Sequence, residues 1–365
     1  MKEFEDLKSL LRDKGSLDMG ILAGAFEHLS KEDRNYKLYI LIFSSTQPPI
    51  NLINSWHNKN FSFNLEQFDG FHIINLSRFV RNGQEITGSF GLTQFDKTGI
   101  WIAFTSDSSD FFNKGVVKFI ESYRPDISRI YLSSGEIRGL FERIEETLSS
   151  RIYVRKAVLY TQPREGEISF KKRYFQDLFE DAESDFGLVD KVEYDIQEES
   201  GPYYHGFISR DLVCYYYSGR INRFFDFILP IIARIAKIKL NLFSNRERNS
   251  ENAEAEPLCI DFLDNVFNDK KDNIKLISVL KEIIGGAVAV YHKNPYLHLS
   301  FLDFIDGSNF DIFVTESNKI TIIPNYKCSA YSLMRVTDKI FKGFNEGNLK
   351  LAEKYTYSFA DFVAE

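Results

Sequence analysis

Three serines, Ser106, Ser218 and Ser329, stand 112 and 111 residues apart, and each closes the last strand of the same local pattern. The third copy is the clearest. YLHLSFLDF (Tyr296 to Phe304) is followed by the turn IDGSN, by FDIFVTES, by a tight turn at Ser317-Asn318 and by KITIIPNY. Ser329 then opens a helix whose Leu333, Val336, Ile340 and Phe344 recur at the helical period. Gly307 and Asn309 bring turn chemistry, and β-branched and aromatic residues fill the strands. A near-constant interval of this kind constrains the fold more than any single strand does.

The middle of the chain repeats the phrase. LVDKVEYDI (Leu188 to Ile196), YYHGFISR and LVCYYYS alternate as strands, and a helix from Gly219 carries Phe224, Ile228, Ile231, Ile232 and Ile235 on one stripe. The first third gives FHIINLSRF (Phe71 to Phe79), EITGSFGLT, IWIAFTS and a helix from about Ser108, with Phe112, Val116, Phe119, Ile120 and Tyr123 in register. Each copy has a lead-in strand and helix: KLYILIFSS before Ile50–His57, IYVRKAVLYT before KKRYFQDLFEDAES, and PLCIDFL before NIKLISVLKEII. Identity between the copies is negligible, so the repetition is one of structure.

The expected fold class is therefore α+β, as three tandem strand-helix-three-strand-helix units in which antiparallel meanders are backed by helices. N-terminal helices occupy 1–36. The first unit and a connector helix, SGEIRGLFERIEETL, occupy 37–150, with Ser133 and Glu136 as a capping box. The second unit runs over 151–244, a polar linker over 245–257, and the third unit with its C-terminal helix over 258–365. One large α+β domain is the competing reading.

This element order resembles the longin and roadblock group of small profilin-like domains, whose five-stranded sheets have two leading strands. A saddle-like TATA-binding-protein sheet has similar elements. The longin resemblance implies modules that pair with each other or with small GTPases.

Composition restricts the function classes. Hydrophobic residues are 44% and charged residues 27% of 365, enough to build a sizeable core. The net charge of −7 argues against a generally basic nucleic-acid coat and leaves room for a local basic face. Three scattered cysteines, Cys214, Cys259 and Cys328, fit a reducing compartment without a disulfide framework. The start, MKEFEDLKSLLRDKG, reads as a charged helix and not as a signal or transit peptide. The longest apolar stretch, Phe224 to Leu240, is interrupted by Asp226, Pro230, Arg234, Lys237 and Lys239, so no membrane span is expected and a cytoplasmic location is.

Phosphate-binding glycine loops, G-x-S-x-G, H-E-x-x-H and C-x-x-C do not occur. His205 and Cys214 fall on neighbouring strands, two ligands where a metal needs three or four. His57-Asn58-Lys59 with Asn64 is a decayed H-x-K-x4-D that lacks its aspartate. Asp261, Asp264, Asp269 and Lys271 read as a solvated loop, and Asp303 and Asp306 as turn residues. No catalytic residue, metal or cofactor is assigned.

Charge is segregated instead. Seven basic residues lie between Arg151 and Arg173, and seven between Gly219 and Arg248. Between these blocks, Gln176 to Ser200 has ten acidic residues against Lys191. Arg155, Lys171, Lys172, Arg173, Arg220, Arg223, Arg234 and Lys237 form the candidate surface for a nucleic acid or another partner. Among Tyr203, Tyr204, Tyr215, Tyr216 and Tyr217, strand alternation turns about half the rings away from the core. The leading expectation is a non-catalytic binding or scaffold subunit acting through sheet edges and helix faces, with a protein partner. The alternative is a nucleic-acid-binding subunit of a processing or defence complex, and the last a degenerate nuclease or hydrolase. A small GTPase partner follows only from the longin resemblance.

Overall fold

The run LYILIFSS has no charged residue, and it forms strand β1 (Leu38–Ser45), buried along seven of its eight positions. A strand so apolar must be covered on both faces, and its surroundings show how. The computed structural model describes residues 19–352 except 34, 56–58, 81–82, 96–98, 162–163, 185–186, 199–200 and 247–255, and omits the side chains of 161, 164–167, 170 and 201–203. The helix expected in Met1–Gly15, the His57-Asn58 fragment and most of the 245–257 linker lie outside the described residues. The chain divides into two compact units, Met1–Asn241 and Leu242–Glu365. Helices and antiparallel strands are mixed in both, so the α+β class is the observed one.

In the first unit, helix α1 (Met19–Glu32) precedes β1, and helix α2 (Pro49–Ser55) follows it. Strands β2 (Phe61–Phe68), β3 (Phe71–Phe79), β4 (Glu85–Phe95) and β5 (Ile100–Thr105) form a four-stranded meander, one strand more than the sequence pattern suggested. Helix α3 begins as a π-helical turn, Phe111–Val116, and continues through Val117–Glu121. Strand β6 (Ile127–Arg129) and helix α4 (Ser134–Leu148) complete this half. The α4 capping box is formed as expected: Glu136 N donates to Ser133 Oγ at 3.1 Å and Ser133 N to the Glu136 carboxylate at 2.6 Å.

The second half starts with two strands, β7 (Ser150–Thr161) and β8 (Arg164–Tyr174). Helix α5 (Phe175–Ser184), strands β9 (Leu188–Glu198), β10 (Gly201–Ser209) and β11 (Val213–Gly219), and helix α6 (221–243) follow. KKRY therefore lies on a strand and not in the expected helix. Cross-strand pairing with β7, Val154 opposite Arg173 and Tyr153 opposite Tyr174, overrides its helical reading. Helix α6, like α3, passes through a π-helical turn just after its strand. Phe224-Phe225 there stands where α3 has Phe111-Phe112, and all four rings are buried.

The halves share one eleven-stranded sheet ordered β2-β3-β4-β5-β1-β11-β10-β9-β7-β8, with β6 also on β1. The junction is antiparallel, Tyr39 opposite Tyr215 and Leu41 opposite Val213. Helices α2 and α3 cover one face of the first half, burying Leu41, Phe43, Ile53, Phe90, Phe112 and Phe119. Helix α1 covers the other face: Phe26 meets Phe104 edge-on at 5.3 Å and stacks on Phe225 of α6 at 5.5 Å. Over the second half, Phe141 of α4 packs on Phe175 of α5 and on Tyr194 of β9. Full burial of such a ring contributes ~1.5–3 kcal/mol.

The second unit comprises β12 (Leu258–Asp261), α7 (Lys270–Lys281), β13 (Gly286–His292), β14 (Leu297–Asp303), β15 (Asn309–Glu316), β16 (Lys319–Pro324), α8 (Ala330–Gly343) and β17 (Asn348–Leu351). Its sheet order is β13-β14-β15-β16-β12-β17. A four-stranded meander whose last strand pairs with the lead-in strand is also the arrangement of the first half, β2-β3-β4-β5-β1. The second half differs, since its lead-in strand β7 pairs with β9, the first strand of its meander. Ser329 caps α8 as expected, accepting from Ser332 N at 3.1 Å. Asp303 does more than shape a turn. It has no exposed surface, and it accepts from Ser332 Oγ at 3.0 Å and faces Arg335 at 3.4 Å, tying α8 to the hairpin.

Candidate binding face

Helices α2 and α3 reach only as far as the adjoining strands of the second half, and the sheet face they cover continues beyond without a described helix on it. One cross-strand row runs along this face: Tyr39 opposite Tyr215, Tyr215 opposite Phe207, Phe207 opposite Glu193, Glu193 opposite Lys156. Residues directly opposite across antiparallel strands share a face. The covering layer ends where Phe112 of α3 meets Tyr215, ring centres 5.9 Å apart. Beyond it, Lys156, Val158, Lys191, Glu193, Phe207 and Tyr217 line an open hollow of about 410 Å³.

Two bulges aim side chains into this region. Opposite β10, His205 pairs with Ser218 and Gly206 with Tyr216, so Tyr217 is the extra residue of β11. Opposite β9, Tyr194 pairs with Val154 and Glu193 with Lys156, so Arg155 is the extra residue of β7. Bulges of this kind re-aim side chains and twist the strand locally. Gly206 is required beside the first one. A Cβ there would lie 2.4 Å from the Tyr204 ring, which is buried on the opposite, helix-covered face.

The aromatic groups form a connected set. Tyr215 stacks on Phe207 at 4.6 Å, and the His205 ring lies 4.9 Å from that of Tyr217. Lys37 Nζ stands over the Tyr217 ring at 5.7 Å. Burial first, and then the Glu193 carboxylate with Tyr215 and Tyr39, push the Tyr217 phenol above its ordinary value, so it remains a neutral donor. The charges are largely paired with one another. His205 Nε2 lies 3.0 Å from Glu193 Oε1, and Arg155 Nε lies 2.6 Å from Asp195 Oδ2. Lys172 reaches Gln197 at 2.8 Å and lies over the Tyr153 ring at 4.2 Å.

The residues singled out in the sequence separate into several locations. Arg155 and Lys172 are on this face. Arg173 turns to the helix side and pairs with Asp181 of α5. Lys171 is exposed on the edge strand β8, and Arg223 is held by Glu198 at 3.1 Å. Arg220 is exposed at the start of α6, and Arg234 and Lys237 are exposed along it together with Asn241. Lys239 is instead buried against the Glu136 carboxylate at 2.7 Å, which ties α6 to the cap of α4. Tyr204 and Tyr216 are buried, while Tyr215 and Tyr217 turn the other way, as alternation requires. Lys191, Glu193 and Phe207 were not legible as site residues. Lys191 and Glu193 lie on β9 and Phe207 on β10, and they meet Lys156 of β7 only through the register.

The other candidates have structural roles. His205 is paired with Glu193, and Cys214 sits opposite Ile208, buried, with burial pushing its thiol far above the ordinary range. Asp261 pairs with Lys350 at 2.6 Å, and Asp269 caps α7 in a box with Asp272. Among the described residues, no group of three or more His, Cys, Asp or Glu side chains is placed to hold a metal ion. Among them, too, no helix is long and apolar enough to cross a membrane. No protein-family model matches the chain, and no curated protein is found to be similar to it in sequence.

Proposed function

We propose that this chain is a non-catalytic binding subunit of a protein assembly, and that the helix-free face of 150–219 is the surface it offers. One observation carries the reading: two separate bulges aim Arg155 and Tyr217 onto the same uncovered face, around a hollow flanked by Phe207. Tyrosine, arginine and phenylalanine on a concave, partly polar surface are what protein interfaces favour. The mixed sign of the face supports a protein over a polyanion, because Glu193 stands opposite Lys156 and Asp195 is ion-paired with Arg155. The carboxylates are tied to His205 and Arg155, which suits recognition better than proton transfer. The test is purification of the tagged chain from its source, split into nuclease-treated and untreated halves. Stoichiometric proteins that survive nuclease support the reading. Their complete loss on digestion refutes it.

A second reading is favoured by a different observation. The Leu229–Phe243 segment of α6 has no carboxylate, and Arg234, Lys237 and Asn241 are exposed along it. That stripe suits the phosphate backbone of a nucleic acid. Under it, Arg234→Glu with Lys237→Glu abolishes binding of a single-stranded oligonucleotide and flattens its salt dependence. Unchanged, salt-independent binding rules it out.

The tandem-unit architecture belongs to the same proposal. The shared order of the first half and the second unit, and the matching π-helical turns of the first and second halves, support descent from repeated units. The strand, strand, helix, three strands, helix order of 150–243 is the one that the longin resemblance implies, and a small GTPase is the partner class it brings with it.

A further inference from the structure

Among the described residues, every sheet edge except one has a charged residue: Glu66 on β2, several charges on β8 and Lys350 on β17. The exception is β13, GAVAVYH, which lies at the outer edge of the second unit's sheet. It has neither charge nor proline, two of the devices that keep an edge from pairing, and its bulge, with Tyr291 as the extra residue, comes only after Val290. Its burial is intermediate at Val288 and Val290 and low at Ala289 and Tyr291. Large apolar side chains flank it. Ile284 is 91% exposed and Phe304 66% at its start, and Tyr291 63% at its end.

We propose that β13 pairs antiparallel with β13 of a second copy of this chain, about a two-fold axis at Ala289. Four features of the strand point to a second copy over an unrelated strand. Val288 and Val290 are symmetric about Ala289, so self-pairing sets them opposite each other within the regular part of the strand, before the bulge at Tyr291. Val288 and Val290 lie opposite the buried Phe301 and Leu299 of β14, so that pairing extends one apolar layer across the junction. A neutral strand also brings no like charges together on itself, as β8 with Lys171, Lys172 and Arg173 would.

The ends of the strand are complementary as well. Ile284 and Phe304 lie at one end, where Phe304 N donates to Gly285 O at 2.8 Å. At the other end the His292 ring stacks on Tyr296 at 4.0 Å, with Tyr296 44% exposed. Antiparallel pairing carries the apolar end of each copy to the aromatic end of the other, as an isologous interface requires. The exposed parts of Tyr291, Tyr296 and Phe304 alone amount to roughly 300 Å² per copy, a substantial share of the ~800 Å² per partner of a standard interface.

Sedimentation velocity on the full chain over a range of concentrations tests this, with Ala289→Lys and Ala289→Glu as variants. Ala289 is exposed, so both variants are expected to keep the wild-type circular dichroism. The expected result is a wild-type dimer, with each variant weakened at least about tenfold by like charges across the axis. An equimolar mixture of the two variants regains the dimer. A monomeric wild type at every concentration, or variants that remain as dimeric as the wild type, overturns the proposal. Should either variant misfold, amide exchange of Ala287–Tyr291 in the wild type decides: protection that rises with concentration upholds the pairing, and concentration-independent exchange refutes it.

Discussion

The rings of His205 and Tyr217 lie 4.9 Å apart on neighbouring strands, and they meet because Tyr217 is the extra residue of a bulge. Tyr217 thus forms the half-buried outer end of the aromatic set and not its support. Tyr217→Ala is expected to weaken partner binding by ~2 kcal/mol or more, the cost of an aromatic anchor at an interface. Urea denaturation should show a loss of only about 1 kcal/mol in stability. A loss of stability as large as the loss of binding would make the ring a core residue.

Glu121 ties α3 to its surroundings and predicts an acid limb. Burial raises its pKa, but the hydrogen bond from Lys118 and the charges of Arg124, Arg129 and Lys118 outweigh that, leaving it below the ordinary glutamate value. A carboxyl depressed in the folded state binds fewer protons there than in the unfolded chain. Its contribution is complete above the unfolded pKa of ~4.3 and disappears as pH falls through the lower folded value. Glu121→Gln should therefore flatten the stability of the first unit against pH below about 4.3, measured by denaturant midpoints.

Asp303 is the most consequential polar residue of the second unit. Asp303→Ala leaves Ser332 and the partly buried Arg335 without their carboxylate, and should cost ~3–5 kcal/mol. Asp303→Asn keeps the shape and should cost less. Equal losses in chemical denaturation would show that the charge of the carboxylate, and not its shape or its accepting oxygen, is what holds α8.

Phe225 stacks on Phe26, which in turn meets Phe104. Phe225→Asp buries a charge between α6, α1 and β5, so both halves of the eleven-stranded sheet should lose protection together. Hydrogen exchange should leave 258–351 protected. Loss of protection in that region as well would show that the two compact units unfold as one.

Much of this fold is legible in the sequence, for identifiable reasons. FHIINLSRF, LVDKVEYDI and FDIFVTES alternate because each has one face on helices, and they became β3, β9 and β15. Ser133 and Ser329 announced their helices because capping is a local interaction. Strands β2, β6, β8, β13 and β17 are not legible in the sequence. β6 and β17 are only three and four residues long, β2, β8, β13 and β17 are sheet edges, and β2 and β13 are half-exposed on both faces, which erases the period-two signal. The alternation of Tyr215, Tyr216 and Tyr217 could be read directly. The meeting of Lys156, Glu193 and Phe207 could not, since it depends on register and on two bulges that alternation does not encode. The basic residues were read as one surface, yet adjacent positions on a strand point to opposite faces, which sends Lys172 and Arg173 apart.

The most direct measurement is site-specific photo-crosslinking in the native source, with a benzophenone amino acid at position 217 and, in parallel, at Arg234 on α6. The account predicts a discrete protein adduct from position 217 that persists after nuclease treatment, is lost with Phe207→Ala, and is not formed from position 234. No adduct at 217, or an adduct at 234 alone that nuclease removes, would contradict the claim that the helix-free face is where this chain binds its partner.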